Sequence, residues 1–299
     1  MISVYPAFYK DFRCKADKCV HSCCMQNWDI DIDDVTADYY QQLEGPLGGA
    51  IRQHIAEGPD GWHFCLTAEG NCPFLRPDGL CQLIRQAGDD ILCDICALHP
   101  RFFQVVENGS SQAIELGGVG LCCEAACELL LSETGPLTFC DSETGRSIGS
   151  LAQLLKWLDY PLPRKGLTYE PATAEKDHER LLAVLGRTEP IDDAWTAQLK
   201  ALQAQTANSA GSTALTGDTG TAGRYQRIYD YIFYRQLETF ADVPSDFLAT
   251  YVGRSTDFIA LTAAATGNLP EAVRRWSEQI EYDTDNVALL KKAAAAGEF

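Results

Sequence analysis

Long apolar runs are missing from this chain. None approaches the ~20 residues that a membrane-spanning helix needs, which excludes insertion by a hydrophobic helix and leads to the expectation of a soluble protein. The amino terminus, MISVYPAFYKDFRC, lacks the charged start, apolar stretch and small-residue cleavage site of a secretory signal, so the expected location is the cytoplasm. Basic residues are scarce: Lys and Arg number 24 against 42 Asp and Glu, a formal net charge of -18. A surface of that sign repels DNA and RNA phosphates and attracts lysine-rich partners. Solubility alone also selects acidity, so a basic substrate is permitted and not demanded. Cysteine is absent from the last 159 residues, and all 13 cysteines lie between Cys14 and Cys140.

That uneven distribution divides the chain into a Cys-rich half, 1–140, and a second half, 141–299. An odd cysteine count in a reducing compartment disfavours a disulfide framework, whereas clustered thiolates are what soft metals and iron-sulfur clusters require. The stretch CKADKCVHSCC carries Cys14, Cys19, Cys23 and Cys24; a second group follows at Cys72, Cys81, Cys93 and Cys96. Two groups of four suit two four-ligand sites. The short CDIC loop at 93–96 lets two sulfurs converge on one ion, with zinc and iron-sulfur both open because spacing does not choose between them. Neighbouring side chains of an extended segment point to opposite sides, so Cys23 and Cys24 are expected to serve different centres, or one to ligate while the other packs. His21 and His99 are nearby alternatives, although a lone histidine is more often a structural residue. Cys65, Cys122, Cys123, Cys127 and Cys140 are left as further ligands or buried thiols. In CCEAAC, helical spacing would put Cys123 and Cys127 on one face, which suits a core role as well as a metal role.

The run FRCKADKCVHSCCMQNWDIDIDDVTADYY, followed by GNCPFLRPDGLCQLI and LCDICALHPRFF, resembles the flagellin lysine N-methylase family, within the wider CxxCxxCC group of proteins named for zinc or iron chelation. The likeness covers roughly residues 5–131, and RYQRIYDYIFYRQ is more loosely similar to the family's helical carboxyl-terminal part. The resemblance implies methyl transfer from S-adenosylmethionine to lysine side chains of flagellin or another lysine-bearing protein. It also implies an iron-sulfur cluster, 4Fe-4S in type, held by Cys14, Cys19, Cys23, Cys24, Cys72, Cys81, Cys93 and Cys96. The first spacing here is looser than CxxCxxCC, and His99 stands where the family has an aromatic residue before PR.

The residues themselves support methyl transfer less directly than metal binding. No alternation of strands and helices with a Gly-rich first turn announces a doubly wound methyltransferase, and GGVG at 117–120 is too short to count. The contiguous C-x3-C-x2-C of radical enzymes is broken because residue 26 is Gln. A lysine amine is protonated near neutral pH, so displacement on a methyl sulfonium needs a group that accepts its proton. In WDIDIDD, Trp28, Ile30 and Ile32 alternate with Asp29, Asp31 and Asp33, which reads as a half-buried strand with three carboxylates on one side. Asp29, Asp31 and the following Tyr39 are the candidate catalytic groups, against the plainer reading of a solvated strand face. Arg101 is a candidate for a cofactor carboxylate or for a structural ion pair.

After residue 140 the pattern is helical. SIGSLAQLLKWLDYPLP spaces Leu151, Leu154, Leu155 and Leu158 as a helix, and EKDHERLLAVLG adds an amphipathic stretch closed by Gly186. Residues 206–223 are small and polar and read as a flexible insertion. The aromatics of RYQRIYDYIFYRQLETF read as core more readily than as a docking groove. The expected fold is mainly α, with a few short strands in the Cys-rich half. The expected function is lysine methylation without nucleic acid or membrane insertion, and the alternative is a non-enzymatic zinc- or iron-binding protein for metal handling or partner docking.

Overall fold

A computed structural model describes residues 2–26, 28–59, 61–208 and 219–299. The strands are β1 (Ile2–Pro6), β2 (Asp31–Ile32), β3 (Ile55–Gly58), β4 (Gly61–Phe64), β5 (Arg101–Glu107), β6 (Ala113–Val119), β7 (Thr138–Asp141) and β8 (Ser147–Ser150). The first helices are α1 (Asp34–Gln42), α2 (Gly45–Gln53), α3 (Gln82–Ala87), α4 (Asp94–Leu98), α5 (Glu124–Ser132) and α6 (Leu151–Trp157). There follow α7 (Glu175–Leu185), α8 (Asp193–Asn208), α9 (Thr219–Arg235), α10 (Ser245–Thr266), α11 (Leu269–Trp276) and α12 (Thr284–Ala296). With about 52% helix and 14% strand the fold is mixed α/β. Helix predominates as expected and, among the described residues, β1 to β7 all start within the Cys-rich half; β8 lies beyond it, and the eight strands are more than the few expected.

Two compact units are formed, and each is discontinuous in sequence. One comprises Arg13–Phe102 with Cys123–Ala125; the other comprises Met1–Phe12, Phe103–Cys122 and Ala126–Phe299. A single cut at residue 140 does not describe them, because β1 pairs with β6 in parallel and with β7 in antiparallel register, drawing the amino terminus into the later unit. Such pairing between distant segments leaves little trace in local composition.

In the cysteine-rich unit the sheet order is β2-β4-β3, antiparallel, over a core of Ile30, Ile32, Tyr40, Ile51, Phe64 and Phe74 together with Cys72 and Cys93. The alternation read from WDIDIDD holds for Ile30 and Ile32, which are buried, and for Asp29 and Asp31, which are exposed. Asp33 departs from it. Its carboxylate turns inward to cap α1, accepting the Thr36 N–H at 2.9 Å, and accepts the Asp94 N–H at the start of α4 at 3.0 Å. At the far end of α1, the Arg52 guanidinium donates to the carbonyls of Tyr40 and Leu43 at 3.0 and 2.8 Å, satisfying groups that the helix leaves open.

The second unit is built on a five-stranded sheet, β5-β6-β1-β7-β8, with long helices around it. Leu151, Leu154, Leu155 and Leu158 are all buried, and α6 starts with a reciprocal Ser150–Gln153 capping box. The aromatic stripe of α9 is core: Tyr229, Tyr231, Phe233 and Tyr234 are buried, and the Tyr234 hydroxyl lies 2.8 Å from the carbonyls of both Val4 and Gly117. Gly117 sits under the Tyr5 ring, where a Cβ would meet a ring carbon at 2.0 Å, so this glycine serves packing. Of the expected insertion at 206–223, residues 206–208 end α8 and 219–223 begin α9, and 209–218 lie outside the described residues. Among the described residues no helix is long and apolar enough to cross a membrane.

Candidate functional site

Backbone hydrogen bonds assemble the cysteines of the first unit. The Cys72 N–H donates to the Cys24 carbonyl at 2.9 Å, which joins the CC pair to the CPFL segment. Leu75 and Cys81 form an isolated antiparallel bridge, bringing the GLC segment onto the same loop. In that segment Gly79 adopts φ +78, and a Cβ there would meet Asp17 Cα at 3.1 Å, so glycine permits both the turn and the close approach to the 16–18 segment. Cys93 precedes α4 and is fully buried, Cys96 lies within that helix, and Asp33 holds the helix start.

The electrostatics follow from this gathering. Burial, then the neighbouring Cys24 and Cys81 sulfurs, push the Cys72 thiol up to about 12. The Cys96 thiol is raised by its hydrogen bond to Cys93, by burial and by Cys93, Cys72 and Cys24, while the bond from Cys96 lowers Cys93 against its burial. Cys24 is lowered to about 7 by the bond from Cys23, again against burial, and Cys23 is raised in return. Cys24 therefore belongs with Cys72, Cys81, Cys93 and Cys96. Cys23, bonded to Cys24, also feels the Cys14 and Cys123 sulfurs, so the earlier and later cysteines meet at this adjacent pair.

The loop of the earlier cysteines is tied by Glu124. Its carboxylate accepts the backbone N–H groups of Val20 and His21 at 3.0 and 3.2 Å, lies 3.3 Å from His21 Nδ1 and 3.7 Å from Cys19 Sγ, and pairs with Lys15 Nζ. Burial works against the charge of Glu124, but the bonds from Lys15 and His21 prevail and bring its pKa down to about 2. Cys19 is pushed up to about 11 by burial and by Glu124, with Cys123 adding to it. A cleft of about 280 Å³ opens beside Cys19, bordered by Asp17, Ser22, Met25 and Asp78.

The sequence singles out eight cysteines as two groups of four, and the hydrogen-bonded pair Cys23 and Cys24 connects the two groups. Cys24 joins the later segment, and Cys123, with Glu124 as its neighbour, comes to the earlier one. The signal available for these two was CCEAAC itself, where helical spacing directed attention to Cys127. Cys123 in fact precedes α5, and Cys127 is a core residue, buried and donating to the Leu121 carbonyl at 2.9 Å. Cys140 points to the Tyr5 carbonyl at 3.7 Å, and Cys65 is exposed. His99 packs its ring on Trp28, with centroids 5.4 Å apart. All thirteen cysteines are free of disulfides. The donor chemistry is that of a soft-metal or iron-sulfur site. Among the described residues, however, no three His, Cys, Asp or Glu side chains stand in a metal-holding arrangement around one point.

The candidate catalytic groups are more dispersed. Asp31 is the cross-strand partner of His63 on the exposed edge of β2, Asp29 is exposed two residues earlier, and Tyr39 on α1 is 48% exposed with its ring against Tyr40. Arg101 reaches the Ala97 carbonyl at the end of α4 at 3.5 Å.

No protein-family model matches the chain, and no solved structure matches it significantly. Among curated proteins it is similar to "Flagellar biosynthetic protein FliU" of Salmonella muenchen, 27% identical over 117 residues that make up 37% of this chain and 69% of that protein. It is also 29% identical over 117 residues to the lysine-N-methylases of Salmonella choleraesuis and Salmonella typhimurium, covering 37% of this chain and 29% of each of them. The match thus spans less than a third of the methylases' length. Over that portion, the chain is similar to proteins named for lysine N-methylation and for flagellar biosynthesis.

Proposed function

We propose that this protein transfers methyl groups to lysine side chains of a protein substrate, flagellin in the first place, with S-adenosylmethionine as donor and an iron-sulfur cluster, 4Fe-4S in type, on the buried thiols. The observation that carries the reading is the similarity to proteins named lysine-N-methylase. The gathering of Cys24, Cys72, Cys81, Cys93 and Cys96 supports the cluster, because thiols packed so that Cys72, Cys81 and Cys96 are raised while Cys24 and Cys93 are lowered lose their protons together only beside a bound cation. Zinc is the alternative occupant.

The donor supplies an electrophilic methyl group. In the transfer the lysine nitrogen lone pair forms the new N–C bond as the S–C bond breaks, the sulfonium leaves as a thioether, and the nitrogen's proton must go elsewhere. Asp29 and Asp31 are placed on an exposed edge where they can attract a lysine ammonium and relay its proton to water, and Tyr39 offers a phenol on the neighbouring helix. Arg101 is assigned the donor's carboxylate, an interaction that a guanidinium makes in bidentate form. The net charge of -18 favours encounter with a lysine-bearing partner.

The test is incubation of anaerobically purified protein with S-adenosylmethionine and flagellin, with lysine methylation read by mass spectrometry. Asp29→Asn with Asp31→Asn should lower kcat, and Arg101→Ala should raise the KM for the donor. A second reading, metal binding without catalysis, is favoured by one observation: the five-stranded sheet mixes parallel and antiparallel pairs and is not a doubly wound nucleotide-binding sheet. Tight metal uptake with no affinity for S-adenosylmethionine would establish that reading instead.

A further inference from the structure

We infer that the outer edge of β5, from Phe103 to Glu107, docks an extended segment of a partner protein that carries lysine or arginine. The segment adds to the five-stranded sheet as a further strand. β5 ends the order β5-β6-β1-β7-β8, so among the described residues no strand pairs with its outer side. The turn that joins β5 to β6 is closed by the Asn108 N–H on the Gln112 carbonyl at 3.0 Å. Backbone groups alternate along a strand, so Gln104 and Val106 direct theirs to β6, and Phe103, Val105 and Glu107 direct theirs outward. The side chains alternate with the same period: Gln104 and Val106 are buried, whereas Phe103 is 44% exposed, Val105 is 46% exposed and Glu107 is exposed.

Natural sheets blunt an open edge with lysine, proline, a bulge or a short strand. The opposite edge of this sheet is blunted in that way: β8 has four residues, Gly149 at φ +105, and a register shift against β7 at Phe139 and Cys140. β5 has seven residues, and from Phe103 to Glu107 it carries neither lysine nor proline. Its open face continues into aromatic surface. The Tyr5 ring meets Phe103 edge-on with centroids 6.5 Å apart and stacks on Tyr9 at 4.5 Å, and the Tyr5 hydroxyl donates to Glu115 at 3.0 Å. Charge selects the occupant. Between Phe103 and Val119 the ionisable side chains are Glu107 and Glu115, with no basic one, and the whole chain carries a formal net charge of -18. Lys10 acts on Cys140 of β7, on the other side of β1. A second copy of the chain brings the same excess of negative charge to this edge, whereas a basic segment brings the opposite one. Apolar side chains of that segment lie against Phe103 and Val105, and its Lys or Arg against Glu107 or Glu115, as cross-strand neighbours do.

Docking at this edge is independent of methyl transfer and is read without S-adenosylmethionine. Full-length protein is titrated into a fluorescein-labelled peptide of about ten residues that alternates serine with valine or lysine, and anisotropy is recorded. One control peptide has glutamate for lysine, and another has a central proline. Wild type should bind the lysine peptide and hold each control about tenfold more weakly, since one lacks the charge and the other an amide of the added strand. Val105→Pro removes an outward N–H while the bonds to β6 remain, and should weaken the lysine peptide about fivefold. Glu107→Lys, at the exposed end of the strand, should weaken the lysine peptide and improve the glutamate peptide, which keeps the test decisive should Val105→Pro fail to fold. Absence of binding by wild type, equal binding of all three peptides, or unchanged binding in both variants overturns the proposal. Sedimentation equilibrium supplies the remaining outcome: a wild-type dimer that Val105→Pro converts to monomer assigns the edge to a second copy and overturns the basic partner.

Discussion

The Cys72 amide donates to the Cys24 carbonyl at 2.9 Å, across 47 intervening residues of the chain, and this bond places the second cysteine of the CC pair among thiols that follow it in sequence. Because the contact is made by backbone atoms, it survives side-chain substitution. Cys24→Ser should therefore fold with the bond intact and lower metal content to the same extent as Cys93→Ser, whereas Cys23→Ser should leave the Cys93-dependent metal in place. Metal analysis of the three variants checks this grouping.

Asp33 is expected to be a stability residue more than a catalytic one. It accepts the first amides of two helices, so Asp33→Ala should destabilise by about 1–2 kcal/mol in urea unfolding at constant metal content. Burial opposes its charge, yet the Asp94 and Thr36 amides lower its pKa below the ordinary value. A carboxylate lowered on folding contributes its stability above the unfolded value of about 3.9 and loses it as pH falls through the folded value. The variant should be insensitive to that loss, so the wild-type advantage should shrink in acid.

Glu124 obeys the same sign at a different window. With a folded pKa of about 2 against an ordinary 4.5, its tie to Lys15, Val20 and His21 should be fully present above about pH 4.5 and lost between there and about 2. Glu124→Gln should weaken the unfolding free energy at neutral pH by about 1–2 kcal/mol, a range set by charge-assisted bonds partly open to solvent. Loosening of the 15–21 loop in hydrogen exchange should accompany it.

Two packing predictions concern the second unit. Tyr234→Phe removes the hydroxyl that bonds the sheet and should destabilise by about 1–3 kcal/mol, since a buried carbonyl loses its partner. Gly117→Ala drives a methyl into the Tyr5 ring and should destabilise by about 1–3 kcal/mol. Thermal unfolding of each variant checks both.

Helices with a strong apolar period were legible in the sequence. Leu151, Leu154, Leu155 and Leu158 occupy one buried face, and α7 is bounded by Gly186 as its spacing predicts. The aromatics of α9 were legible as core. The five-stranded sheet was not, because β1, β6 and β7 are short and pair across more than a hundred residues, so no local alternation announces them. At the candidate site the residue types were legible and the grouping was not. A cysteine's neighbours in sequence say little about its neighbours in space when a backbone bond such as that between Cys72 and Cys24 sets the loops. Asp33 was read as the third carboxylate of a strand face, but an Asp followed three residues later by a helical amide is equally an N-cap, and the cap prevailed.

The central claim is lysine methylation that depends on the buried thiols, and it is tested most directly by one assay. Anaerobically purified wild type and a Cys93→Ser, Cys96→Ser double variant are incubated with S-adenosylmethionine and flagellin, and methylated lysines are counted by mass spectrometry beside the metal content of each protein. The account predicts methyl groups on flagellin lysines with the metal-replete wild type and none with the metal-depleted double variant. Metal-replete wild type that binds no S-adenosylmethionine and leaves flagellin unmodified would contradict it.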